Sequence, residues 1–383
     1  MDRILLHKPK MSGFEMDFIA AALSEDWAVP LGPDVTAFEE ELKCFLNNPA
    51  KEVVALNSGT AAMHLALLAL GVKPGDEVIC QSFTFCASCN PAVYIGAKPI
   101  FVDSEVETWN MDPQLLEEAI IDRRNKTGKT PAAIIPVALY GMPYKWEEIK
   151  AVADRHGIPI VEDAAEGFGS SYGGQMLGTL GNYGVLSFNG NKMITASGGG
   201  AVVCPDKDAK ERILKFATQA RERYPWYHHE VIGYNYRLSN ISACVGRGQM
   251  KALDEYLRHH RAVHDLYSEI LCGLNEDMQS EVRVHSNPSP IFESNYWLTT
   301  VTFEREVDVE AIRQRMWDAG IETRHLWKPM HLQPIYRDAP AYINGVSESL
   351  FNRGLCLPSG PYVSEENVRY VCETLLKILE SMI

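Results

Sequence analysis

The sequence predicts an α/β protein with a large domain, built on a mostly parallel seven-stranded sheet, and a smaller α+β C-terminal domain. Three observations carry this. At 383 residues the chain exceeds what one hydrophobic core serves, since single cores stop growing at roughly 250 to 300 residues. From residue 52 to 205 short β-rich runs alternate with helical ones, the pattern of a parallel sheet covered by helices on both faces. From about residue 280 the pattern changes to mixed strands and helices. The expected domains are residues 1–250 and 251–383.

The seven strands are read at VVAL near 53, EVICQ near 77, KPIFVD near 98, AAIIPV near 132, IPIVED near 158, GVLSF near 184 and GAVVC near 200. Helices fill the gaps, as in AAMHLALLAL after Thr60 and WEEIKAVADRH before Gly157. Ahead of the sheet, FEMDFIAAALSEDW and VTAFEEELKCFL have the apolar spacing of two amphipathic helices. After it, Ser239 to Leu274 reads as largely helical, and YWLTTVTF, DVEAIRQRMWDAG and VRYVCETLLKILESM belong to the second domain. No internal repeat, low-complexity segment or Pro/Gly-rich linker interrupts the chain.

The composition narrows the function classes. A net charge of −14 with no dense run of Lys or Arg argues against nucleic acid and anionic membrane as partners. No stretch reaches the roughly 18 apolar residues of a membrane span, and the charged N-terminus has no apolar signal region, so the expected location is cytoplasmic. Nine cysteines, an odd number set among apolar neighbours, read as reduced core thiols. Cys86 and Cys89 form a CxxC, yet no second pair or His cluster completes a zinc site, so no metal is expected.

Ligands of such sheets bind at the carboxyl ends of the strands, which makes the residues just after each strand the ones to read. They match the four demands of pyridoxal phosphate (PLP) chemistry: a Lys for a Schiff base, a carboxylate for the pyridine nitrogen, a phosphate cradle and a ring clamp. Lys192, in SFNGNKMITASGGG, sits between an apolar strand and a Gly-rich turn, where an amine can act as nucleophile toward an aldehyde and as proton carrier. The plain alternative is a surface lysine. Asp163 follows a strand and suits a pyridinium, or equally the cap of the next turn. Glu166 reads as a contact to the cofactor ring or substrate, or as part of a solvated helix face.

Ser58, Gly59 and Thr60 stand at the start of a helix, whose free N–H groups suit a phosphate, although Ser and Thr also cap helices routinely. Ser187 adds a hydroxyl beside the same phosphate, or is an ordinary strand-end serine. Phe85 suits stacking on the pyridine ring, against the plain reading of a core phenylalanine. All these candidates fall at one edge of one sheet.

In the segments NSGTAAMHLAL, QSFTFCAS, VEDAAEGFGS, SFNGNKMITASGGGAVV, GYNYRLSN, ETRHLWKPMH and GLCLPSG the chain resembles the DegT/StrS family of sugar aminotransferases, over nearly its whole length. The resemblance implies the fold type I PLP-enzyme architecture. It implies that Lys192 carries the cofactor, Asp163 binds the pyridine nitrogen, Gly59, Thr60 and Ser187 hold the phosphate, and Phe85 stacks on the ring. It further implies a homodimer in which Asn235 reaches the phosphate of the neighbouring subunit's cofactor. From the residues alone, Asn235 is a turn residue, and Arg237 serves a nucleotide phosphate or a structural carboxylate equally well.

Within the family the chain looks most like enzymes that aminate a UDP-2-acetamido-2,6-dideoxy-4-keto-hexose at the 4-position, with L-glutamate as donor, as in bacillosamine-type pathways. Many relatives carry Gln or His where this chain has Glu166, and Glu belongs there if that resemblance holds. Arg324, Trp327, Lys328 and His331 suit diphosphate pairing and stacking on a flat base or sugar face, or else packing within the small domain. The rivals are an aminotransferase for another nucleotide keto sugar, a dehydrating relative, which is expected to lack the Lys, and a noncatalytic regulatory protein of the same fold.

Overall fold

The computed structural model describes residues 3–273 and 282–382. All seven expected strands form: β1 Glu52–Leu56, β2 Glu77–Gln81, β3 Lys98–Val102, β4 Ala133–Ile135, β5 Val161–Asp163, β6 Tyr183–Ser187 and β7 Gly200–Cys204. The order β1-β7-β6-β5 forms one group and β3-β2-β4 another. Parallel bridges between Ile134 and Ile160 and between Val137 and Asp163 join β4 to β5, making one sheet. Only β7 among the seven runs antiparallel to its neighbours.

Alternation explains the layers. Val53 and Ala55 of β1 face one core cluster with Phe38, Leu42, Ile79 and Phe188. Val54 and Leu56 face the other, with Leu65, Val78, Val185 and Val202. Successive strand side chains point to opposite faces, so a strand covered on both sides reads as one apolar run. Glu52 is the exception at the start of β1. Its carboxylate is satisfied by Lys43 at 2.8 Å and Lys210 at 3.1 Å.

Helices α1 Glu15–Ser24 and α2 Pro33–Leu46 precede the sheet, and α3 Gly59–Ala69 follows β1. Residues 61–67 of α3 are all buried, which fits its continuous apolar sequence. Beyond the sheet, α4 Asn240–Met250 and α5 Leu253–Gly273 account for the helical stretch expected there. The second sheet is antiparallel: β8 Val282–Val284, β9 Thr299–Phe303, β10 Arg324–His325 and β12 Gly354–Leu357, with the helix α6 Glu365–Glu380 packed on it.

Among the strands not expected, one joins the large sheet. Ala341–Tyr342 (β11) returns to the large sheet and pairs with β3. The N-terminal end crosses the other way, where Ile4 bridges Ile321 and the Leu6 N–H donates to Glu322 at 3.0 Å. We propose the lobe division at 250/251, beside the Lys251–Ala252 turn between α4 and α5, with these two segments exchanged across it.

Candidate active site

The ends of β1, β2, β5 and β6 open onto a cavity of about 340 Å³. Its floor is the start of α3. Ser58 caps that helix, its hydroxyl accepting from the Ala61 N–H at 3.0 Å. The N–H groups of Gly59 and Thr60 have no partner among the described residues, as expected for the first turn of a helix. Ser187 stands beside them: a Cβ built on Gly59 would lie 3.1 Å from the Ser187 Cβ. On the next strand, a Cβ on Gly200 would lie 2.4 Å from the Gly59 nitrogen, a backbone atom that cannot move aside. Glycine at 200 is therefore what lets β7 pass this close to the helix start. The result is a shallow anion cradle of two free N–H groups and a serine hydroxyl at the positive end of a helix.

Asp163 closes β5 and is 6% exposed. Its Oδ2 accepts from the Ser88 hydroxyl at 2.6 Å, and its Oδ1 accepts from the Ala165 N–H at 3.1 Å. One oxygen caps the turn, as the capping alternative has it, and the residue also lines the cavity. Burial pushes its pKa up, opposed by the Ser88 hydroxyl, the Ala165 N–H and the charge of Lys192. A buried carboxylate of this kind gains from a cationic partner such as a pyridinium.

Lys192 lines the same cavity with its side chain only 12% exposed, which rules out the surface reading. Its Nζ donates to Glu166 Oε1 at 3.3 Å and lies 4.1 Å from the centre of the Trp297 ring. Glu166 is buried, so the solvated-face reading fails. Its Oε2 accepts from the Tyr140 N–H at 2.8 Å. Burial pushes the Glu166 pKa up, against the Lys192 charge and the Tyr140 N–H. Phe85 is 48% exposed and lines the cavity, so it is not a core residue. Trp327 stands against it, ring centres 5.3 Å apart, and its buried indole N–H has no partner among the described residues.

Nine of the fourteen candidate residues meet at this cavity: Ser58, Gly59, Thr60, Phe85, Asp163, Glu166, Ser187, Lys192 and Trp327. Five do not. Arg237 is a correction to the phosphate reading. Its guanidinium is buried and committed to Glu39 at 2.6 Å and the Ala55 carbonyl at 2.9 Å, the structural alternative. Arg324 pairs with Glu322 at 3.1 Å on β10, an edge strand of the second sheet, and lines a separate surface hollow with Trp317 and Thr323. Lys328 is exposed outside the cavity. His331 is held by the Ser82 hydroxyl, 2.7 Å from its Nδ1. Asn235 is exposed, its carbonyl accepting at 3.4 Å from Asn57, a lining residue, while its own side chain does not line this cavity.

The sequence reading passed over three residues that shape the site. Ser88 lies inside QSFTFCAS, and its only signal is a hydroxyl seven residues past the end of β2. Trp297 lies in the apolar run YWLTTVTF, just ahead of β9, where nothing marks it as a site residue. Asn295 donates through its amide to the Glu166 and Phe168 carbonyls, each at 2.9 Å, and fixes the turn after Asp163.

A buried amine, a buried carboxylate, an aromatic wall and an anion cradle around one cavity suit a phosphorylated, cationic aromatic aldehyde. The comparisons agree. The family model described as DegT/DnrJ/EryC1/StrS aminotransferase matches residues 9–376. Among curated proteins, the chain is 44% identical to one from Bacillus subtilis named as a pyridoxal phosphate-dependent aminotransferase, EpsN, covering 99% of this chain and 97% of that protein. It is 37% identical to the GDP-perosamine synthase of Escherichia coli O157:H7, covering 98% of each. A structure described as a sugar aminotransferase from Streptococcus pneumoniae, in its PLP form, superposes with a TM-score of 0.91 at 26% identity over the whole of both chains. The cofactor is pyridoxal phosphate, and the fold is that of fold type I PLP aminotransferases. The chain belongs to the DegT/DnrJ/EryC1/StrS aminotransferase family and is an aminotransferase of nucleotide sugars.

Proposed function

We propose that this enzyme moves the amino group of L-glutamate to the 4-keto carbon of a UDP-2-acetamido-2,6-dideoxy-hexos-4-ulose, giving a UDP-4-amino sugar for glycan biosynthesis. The observation that carries the reaction type is Lys192 between Glu166 and Trp297, beside Asp163, in one cavity. The acceptor assignment rests on the SFNGNK, GYNYRLSN, LWKPMH and GLCLPSG segments.

PLP, when bound, supplies an aldehyde carbon for the migrating amine and a ring that withdraws electrons. In this reading Asp163 holds the pyridine nitrogen as a cation, and Ser88 keeps that carboxylate ionised. Gly59, Thr60 and Ser187 hold the phosphate, and Phe85 lies on a ring face. Lys192 anchors the cofactor, then carries the proton at its Nζ in each half of the exchange. Glu166 is the only carboxylate that Lys192 touches among the described residues, and it takes or returns that proton. Trp327 offers an apolar ring face to the sugar.

The active unit in this proposal is a cytoplasmic homodimer. Asn235 from each copy reaches the other's phosphate. The support is its exposure together with that of the adjoining loop, where Tyr227 is 79% and Ile232 81% exposed, an apolar face of the kind that interfaces cover. A GDP-linked 4-keto sugar is the second reading, favoured by the similarity to GDP-perosamine synthase.

The test is turnover with L-glutamate and each 4-keto sugar nucleotide in turn, followed as 2-oxoglutarate release. The UDP-linked acetamido sugar is expected to give the highest kcat/KM. A preference for the GDP-linked sugar would transfer the assignment to the second reading, and turnover of neither would sink both.

A further inference from the structure

The Trp297 ring against which Lys192 rests is itself held by two contacts. At its rim, the indole Nε1 donates to the Asn191 carbonyl at 2.6 Å, next to the lysine in the chain. Beside it stands a residue from the start of the chain. His7 lies with its ring centre 6.2 Å from that of Trp297 and stacks on His260 at 5.3 Å. His260 of α5 is in turn fixed by the Tyr296 carbonyl, 3.1 Å from its Nδ1.

Neither ring nitrogen of His7 has a hydrogen-bond partner among the described residues, and both are shut off from solvent. Unmet polar groups in such a place are destabilising. Burial, then His260 and then Lys192 push the His7 pKa well below the usual histidine value. The charged and titratable groups that face it are those two, with His259 packed edge-on against His260, and Lys10 and Glu255 beyond His259. His7 is thus a neutral ring whose bulk, rather than its hydrogen bonding, packs against Trp297.

The segment that carries His7 belongs to the second lobe. The Ile4 N–H donates to the Gly320 carbonyl at 2.9 Å, Glu322 N–H to the Ile4 carbonyl at 2.8 Å, and Ser359 N–H to the Leu6 carbonyl at 3.0 Å. The Tyr362 hydroxyl donates to the Leu5 carbonyl. We propose that His7 is a positioning residue for Lys192, a wedge by which the C-terminal lobe sets Trp297 against the lysine amine. This rests on the reading of Lys192 as the lysine that carries the cofactor.

The test uses holoenzyme with bound PLP and two readouts besides turnover: the pH at which the visible cofactor band is half lost, and the PLP dissociation constant. Trp297 favours the cationic form of the nitrogen on Lys192, so retreat of the ring after His7→Ala lowers the half-loss pH. The same retreat weakens PLP binding by about 2- to 30-fold, the range of a cation–π contact. His7→Phe keeps the bulk and is expected to stay within about 2-fold of wild type, as volume-conserving swaps do. If the alanine variant does not fold, His7→Leu, with part of the volume gone, carries the same measurement.

A folded His7→Ala or His7→Leu with unchanged half-loss pH and affinity would overturn the wedge. So would His7→Phe behaving as badly as alanine, which would trace the effect to the ring nitrogens. The underlying reading fails separately: wild type would then show no visible band, or Lys192→Ala would keep it.

Discussion

Ser88→Ala isolates one oxygen at the centre of the account. Ser88 donates to Asp163 Oδ2 at 2.6 Å and sits 2.8 Å from the Thr84 hydroxyl. Burial is the larger influence on Asp163 and raises its pKa, and the Ser88 hydroxyl is the first of the groups that oppose it. The sign follows directly. Without that donor the folded-state pKa rises further, so the carboxylate takes up a proton at a higher pH than in wild type. A hydrogen bond to a charged group is worth about 1.5–3 kcal/mol, or roughly 10- to 150-fold in the ionisation equilibrium. On the acid side, the half-reaction with L-glutamate is expected to slow by that factor, with the acid limb displaced upward. At high pH, where Asp163 is ionised in both proteins, the rates converge. The assay is single-turnover loss of the visible cofactor band at a series of pH values. Urea unfolding, run in parallel, measures the cost of removing the hydroxyl that both Asp163 and Thr84 use, about 1.5–3 kcal/mol where Asp163 is ionised. An acid limb superimposable on that of wild type would refute the reasoning.

Two further perturbations test the frame around the site. Glu162 is fully buried beside Asp163, and burial raises its pKa to about 7 against the N–H groups of Gly178, Leu180 and Gly181 and the charge of Lys51. A raised carboxyl pKa contributes stability that is complete below its unfolded value, 4.5, and is lost as pH rises through about 7. Wild type is therefore expected to lose about 3 kcal/mol relative to Glu162→Gln between those pH values, read by urea unfolding at several pH values; parallel curves would contradict it. Arg237→Ala leaves Glu39 buried and unpaired, which costs about 3–5 kcal/mol. The double variant Arg237→Met with Glu39→Gln is expected to recover much of that loss. A single variant as stable as wild type would show that the pair is not structural.

What the sequence revealed, and what it hid, divides along the range of the contacts. The cradle, Asp163 and Lys192 were legible because each depends on a strand end and the turn after it, and strand ends are marked locally by β-branched runs followed by Gly, Ser or Asp. Their convergence follows from the sheet, whose parallel strands bring their carboxyl ends to one edge. Trp297 was not legible, because its contact with the lysine segment spans more than a hundred residues and depends on how the lobes close. Arg237 shows the same limit from the other side. Its sequence neighbours place it near a turn, and only the packing of α2 brings Glu39 to it. Of the ETRHLWKPMH segment, Trp327 alone reaches the cavity, since β10 directs Arg324 away from it. The strand β11 escaped notice because two residues leave no periodicity to read.

The most direct measurement of the central claim is the visible spectrum of the purified enzyme with PLP, before and after L-glutamate, in wild type and in Lys192→Ala. The account predicts a band at about 410–430 nm in wild type that gives way to one near ~330 nm with glutamate, and no such glutamate-responsive band in the variant. Wild type with no band, or a variant that keeps band and response alike, would contradict the assignment of Lys192 as the residue that carries the cofactor.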